Sequence, residues 1–63
     1  MMTAERHLSV EDLADRLGLP VRTIYWMNQT GTAPPRMRIG RVVRYRLADV
    51  IAWEKSREVP DGR

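Results

Sequence analysis

Between Val21 and Arg46 the sequence carries six arginines, Arg22, Arg36, Arg38, Arg41, Arg44 and Arg46, and no acidic residue. A guanidinium is a planar fork of N–H donors that stays charged, matches phosphate and the guanine edge, and is drawn into narrow minor grooves. The twenty residues before this block carry a net charge of −2 and the seventeen after it −1, so the chain's overall +3 hides a local +6. A surface shaped only for solubility would intersperse the two signs. Ten of the eleven basic residues are arginine, a choice that suits directed hydrogen bonds to a polyanion. An anionic membrane could also attract such a block, but membrane binders spread their cations along an amphipathic helix, and this block reads mostly as turns and strands. Nucleic acid is the expected partner.

Other chemistry is poorly supplied. The absence of cysteine removes disulfides, thiolate zinc sites and thiol nucleophiles. His7, the single histidine, has no neighbour spaced for metal binding or proton transfer. The carboxylates fall on helix surfaces or caps, and no glycine-rich loop could cradle a phosphate. Neither enzyme activity nor any cofactor or metal is expected. Sixty-three residues suffice for one domain, 1–63, which buries only about 60% of the surface its unfolded chain exposes. No apolar run reaches the ~20 residues of a membrane span, and no signal-peptide pattern appears. A cysteine-free, staple-free chain of this size is expected in a reducing cytoplasm.

The elements that must position the arginines follow from periodicity and punctuation. Residues 1–8 form a short lead-in ending at Leu8. Ser9 and Asp12 have capping-box spacing, and Val10, Leu13, Ala14 and Leu17 form one apolar helical face, predicting a helix over 10–17. Gly18 and Pro20 stop it. A second helix is predicted over 21–30, with Val21, Ile24, Met27 and Asn28 inward and Arg22, Trp26 and Gln29 outward. Two short helices joined by a tight glycine-containing turn make a helix-turn-helix whose second helix is the reader. Pro34-Pro35 enforces an extended path. Two alternating runs around Gly40-Arg41 then predict a type II′ hairpin over 36–45. That alternation would turn Met37, Ile39, Val43 and Tyr45 toward the helices and Arg36, Arg38, Arg44 and Arg46 outward. A last helix is predicted over 47–57, with Leu47, Val50, Ile51 and Trp53-Glu54 as its stripe, before a frayed tail over 59–63. The expected fold is mainly α with a small β-hairpin: a winged helix-turn-helix with a two-stranded wing.

The ordered set Leu8-Ser-Val-Glu-Asp-Leu-Ala-Asp-Arg-Leu-Gly18, Val21-Arg-Thr-Ile-Tyr-Trp26, Pro34-Pro35, Gly40-Arg41, Val43-Arg44-Tyr45, Asp49-Val50 and Trp53 resembles the MerR-type winged helix-turn-helix. Within it, the likeness is greatest to phage excisionases (recombination directionality factors) and small AlpA-like regulators, and it spans about residues 8–55. The resemblance implies a reading helix in the major groove, where the positions of Arg22, Thr23 and Trp26 face DNA, and a wing in the minor groove with Arg41 at its tip. Excisionases bind adjacent direct repeats cooperatively, bend DNA, and bias a phage integrase toward excision inside the bacterial host. The family usually has a basic residue where this chain has Trp26 and an aromatic where it has Met27. Full-length MerR regulators also carry a dimerising coiled coil and an effector domain; over these 63 residues neither ligand sensing nor that mode of dimerisation is expected.

Residue by residue, Arg22 could reach guanine or a phosphate, and Thr23 could favour the helix start or touch a phosphate. Gln29 shares their outward face. Trp26 has two open placements: on the reading face against sugar, a thymine methyl or a neighbouring subunit, or packed on the first helix or the wing. Arg36 and Arg38 are expected on phosphates, and Arg41 in the minor groove. Arg44 and Arg46 either join them or pair with Asp49 or Glu54. The expected function is cooperative, DNA-bending binding to double-stranded DNA by neighbouring copies in head-to-tail contact, as in an excisionase working with an integrase. A small phage or mobile-element transcriptional regulator is the alternative, and a protein-interaction adaptor with a basic face the second.

Overall fold

The computed structural model describes residues 6–58. The elements run β1 (His7–Leu8), α1 (Val10–Leu17), α2 (Val21–Thr30), β2 (Met37–Ile39), β3 (Val42–Arg46) and α3 (Leu47–Ser56). The tail expected over 59–63 lies outside the described residues.

Local chemistry accounts for each boundary. The Ser9 hydroxyl accepts from the Asp12 N–H at 3.0 Å, and Asp12 Oδ2 accepts from the Ser9 N–H at 3.1 Å. This reciprocal capping box satisfies donors that the first turn leaves free. At the other end Gly18 takes φ 70°, open to glycine without strain, and the Leu19 N–H closes onto the Ala14 carbonyl at 2.9 Å. Pro20 precedes α2 as its cap, having no N–H to leave unsatisfied.

The core is one cluster: Leu8, Val10, Leu13, Ala14, Ile24, Met27, Tyr45 and Val50, with no buried polar or charged residue among those described. Leu13, Ile24, Tyr45 and Val50 are fully enclosed, so each of α1, α2, β3 and α3 contributes one central side chain. Pro34 is also fully buried, fixing the path from α2 to the wing. Along α3, Val50 is buried and Trp53 half-buried, but Ile51 is 40% exposed and lies off the expected stripe. The helix ends at Ser56, with Arg57 as its cap.

The sheet departs from the sequence reading in two ways. The lead-in contributes a strand: β1 pairs antiparallel with β3 through His7–Arg46 and Leu8–Tyr45, giving a three-stranded sheet of order β1-β3-β2. The second difference is the facing of the wing. Gly40 (φ 63°) and Arg41 form a two-residue loop, so the ladder pairs Ile39 with Val42, Arg38 with Val43 and Met37 with Arg44. Directly opposed residues share a face. Met37 and Ile39 therefore lie with Val42 and Arg44 on the side away from Tyr45, whereas Arg38 lies with Val43 and Tyr45 on the helix-facing side. The expected grouping of Met37 and Ile39 with Val43 and Tyr45 is corrected, as is that of Arg38 with Arg44. Three helices and this small antiparallel sheet make a winged helix-turn-helix.

Candidate nucleic-acid interface

The outward side of α2 is built by the same periodicity that buries Ile24 and Met27. Residues 22, 26 and 29 recur at helical spacing, and Arg22, Trp26 and Gln29 are all exposed. Trp26 is 59% exposed, so it stands on the outward face and does not pack on α1 or the wing. Thr23 is half-buried at the helix start, with its N–H on the Pro20 carbonyl at 3.0 Å. Thr30 turns its hydroxyl onto the helix's own carbonyls, 3.1 Å from that of Trp26 and 3.3 Å from that of Met27.

Tyr25, 52% exposed, belongs to this surface and was not singled out in the sequence. Its signal was present: at 100° per residue it lies 60° from Arg22 and 40° from Gln29. Its ring lines a cleft of about 260 Å³ together with Val10, Asn28, Gln29, Arg36, Arg38 and Val43. The cleft separates the reading helix from the wing, and the two arginines reach it because the even loop turns Arg38 to the helix side. Its polar edge is a guanidinium pair beside two carboxamides, a donor-rich set suited to phosphate oxygens.

Arg41 stands exposed at the hairpin tip. Arg44 does not join Arg36 and Arg38: it lies on the opposite face of the wing, half-buried, with Nη1 donating to the Val43 carbonyl at 2.9 Å. Arg44 instead adds to the positive field at Asp12, whose carboxyl is held below its ordinary range first by the hydrogen bonds from Ser9 and then by Arg44 and Arg6. The alternative pairing of Arg44 with Glu54 is not found, because Glu54 is taken by Arg16: Nε and Nη2 donate to its two oxygens at 2.6 and 2.9 Å.

One contact ties α2 to the wing, and two more hold the segment between them. The Tyr45 hydroxyl donates to Asn28 Oδ1 at 3.0 Å, tying β3 to α2. Trp53 Nε1 and Arg57 Nη2 both donate to the Thr32 carbonyl, at 3.1 and 3.0 Å, so α3 holds the segment that leaves α2. The Arg57 guanidinium also lies 5.4 Å from the centre of the Trp53 ring, within cation–π range. The fork of Arg16 on Glu54 joins α1 to α3.

Among the described residues no helix is long and apolar enough to cross a membrane, and no group of three or more histidine, cysteine, aspartate or glutamate side chains could hold a metal ion. Residues 8–58 match a family of proteins described as a helix-turn-helix domain. No curated protein matches the chain.

Proposed function

The chain belongs to this helix-turn-helix domain family, which implies binding to double-stranded DNA, and we propose that it acts there as an excisionase-type architectural factor. The family includes AlpA- and excisionase-like small DNA-binding proteins. In this reading α2 enters the major groove, with Arg22 on guanine or phosphate, Gln29 on an adenine edge and Trp26 against a thymine methyl or sugar. Thr23, Arg36 and Arg38 hold the phosphate strand between the grooves, and Arg41 enters the adjacent minor groove. Arg44 contributes long-range field rather than a clamp.

The observation that carries the proposal is the side-by-side arrangement of the exposed reading face and the arginine-bearing wing across one cleft. So small a surface makes few base contacts, so selectivity comes from neighbouring copies on repeated sites, in head-to-tail contact, adding their affinities and bending the duplex between them. Such an array biases an integrase toward excision by shaping the DNA rather than by chemistry of its own.

A gel-shift titration on attachment-site DNA of the mobile element, with one, two and more repeats and at several salt concentrations, tests this reading. The expected result is a ladder of complexes that tightens with repeat number, migrates anomalously and weakens steeply with salt. A single symmetric complex on a palindrome would reject the array and point to a transcriptional regulator. No binding at moderate salt would reject DNA as the partner.

A further inference from the structure

Because the wing's loop has an even number of residues, its helix-averted face is apolar at the tip. Ile39 and Val42 pair directly across the ladder and are 61% and 43% exposed, Ile39 being the most exposed large apolar side chain among the described residues. They bracket the Gly40-Arg41 turn, with Arg38 one residue and Arg44 two residues further from it and no acid anywhere in residues 21–46. A second copy presenting the same hairpin would bring arginine against arginine. The surrounding charge therefore selects a polyanion, and the polyanion must offer the pair an apolar surface.

We propose that Ile39 and Val42 form an apolar wedge that enters the DNA minor groove with Arg41 and opens a base step, making the wing tip the element that bends the duplex. The inference rests on the DNA-binding reading above and extends it to a bending device. A strand rises about 3.3 Å per residue, so Val42 lies about one rise from the arginine and Ile39, its cross-strand partner, about two. The minor groove is only about 6 Å wide; a tip inserted far enough to seat the guanidinium carries these side chains onto the sugar walls and base edges. Both are β-branched and stiff at χ1, so wedging costs little side-chain entropy. Apolar wedges of this kind partly unstack a step and kink the duplex by roughly 20–90°, most easily at pyrimidine–purine steps. Arg41 alone would supply attraction without opening the stack.

The test uses the full chain and a single-site duplex recovered by selection from a random library, labelled at both ends for energy-transfer measurement of the bend. Affinity and bend are measured for the wild type, for the double variant Ile39→Ala/Val42→Ala, and for Ile39→Met, with circular dichroism to verify folding. The double variant is expected to bind within about tenfold of wild type yet lose most of the bend, while Ile39→Met, which keeps an apolar wedge, retains it. Replacing the pyrimidine–purine step under the wing with a purine–purine step should reduce the bend made by the wild type more than that made by the double variant. An unchanged bend in the folded double variant would overturn the proposal. So would a loss confined to cooperative binding on two-site DNA, which would assign this face to a neighbouring copy. Failure of the wild type to bind any duplex, even at low salt, would instead overturn the DNA-binding reading beneath it.

Discussion

The hydroxyl of Tyr45, whose ring is fully buried in the core, reaches Asn28 Oδ1 on the half-buried side of α2 at 3.0 Å. The fourth of the five residues of β3 is thereby bonded to the last turn of α2. The bond fixes the width of the cleft lined by Tyr25, Gln29, Arg36 and Arg38, and with it the spacing between what α2 and the wing can touch. Tyr45→Phe keeps the ring packing but leaves the Asn28 carboxamide short of a partner. It should cost about 1 kcal/mol in urea denaturation. A double-mutant cycle with Asn28→Ala should return a coupling of at least ~0.5 kcal/mol; additive losses would show that the bond contributes nothing.

Ile24 is fully enclosed between the two helices of the helix-turn-helix. Ile24→Ala should lower stability by about 2–5 kcal/mol, through lost burial and a cavity that a core of eight residues cannot easily close. That is a large share of what a domain of this size commands. Thermal denaturation followed at the helical circular-dichroism band checks it, and a loss under 1 kcal/mol would mean that the core collapses around the gap.

Much of this architecture is legible in the residues. The spacing Val10, Leu13, Ala14 and Leu17 with Ser9 before and Gly18 after specifies α1, and the periodicity of α2 separates buried Ile24 and Met27 from exposed Trp26. The wing shows the limit. Alternation is visible in Arg36-Met-Arg-Ile39 and in Val42-Val-Arg-Tyr45, but hydrophobicity alone sets the two runs in the wrong relative phase. Loop parity decides it: a two-residue turn makes residues 39 and 42 partners, so 39 and 43 must face opposite ways. The glycine-arginine turn was recognisable, and it outranks the apolar pattern in β2 because that strand overhangs the helices and has little core to bury. β1 is two residues long, too short to show a period. The Arg16–Glu54 pair joins residues 38 positions apart, with no local signal.

The Arg16–Glu54 fork has a pH signature. Its guanidinium holds the Glu54 carboxyl below the ordinary range, and the hydrogen bonds from Ser9 do the same for Asp12. A carboxylate with a depressed folded-state pKa adds stability that is complete above its unfolded value. As pH falls, the unfolded chain takes up the proton first, and the contribution is gone below the folded value. Stability should therefore be level from neutral pH to about pH 5 and fall below about pH 4. Glu54→Gln and Asp12→Asn should each make this acid limb shallower, and together flatter still. Asp12 is exposed and Glu54 keeps part of its surface in water, so the effect is small and best read from the slope of melting temperature against pH. An unchanged slope in the double variant would assign the acid limb to other carboxylates.

Arg41 and Arg38 occupy different environments, and DNA binding should distinguish them. Arg38 faces the cleft beside Gln29 and Tyr25, where a phosphate contact is sequence-independent. Arg38→Ala should weaken binding about equally on all duplexes and lower the slope of log affinity against log salt by about 1. Arg41 stands free at the tip, where a guanidinium gains most from a narrow, strongly negative groove. Arg41→Ala should cost roughly 1–3 kcal/mol, with the larger loss on duplexes whose minor groove is narrowed by an A-tract at the wing position. The two variants titrated on a narrow-groove and a wide-groove duplex, each at three salt concentrations, make the comparison. If Arg41→Ala shows only the uniform, salt-dependent loss expected of Arg38→Ala, the tip rides on the phosphates and does not enter the groove. The wedge formed by Ile39 and Val42 would then have no step to open, because neither side chain can reach the base edges unless Arg41 does.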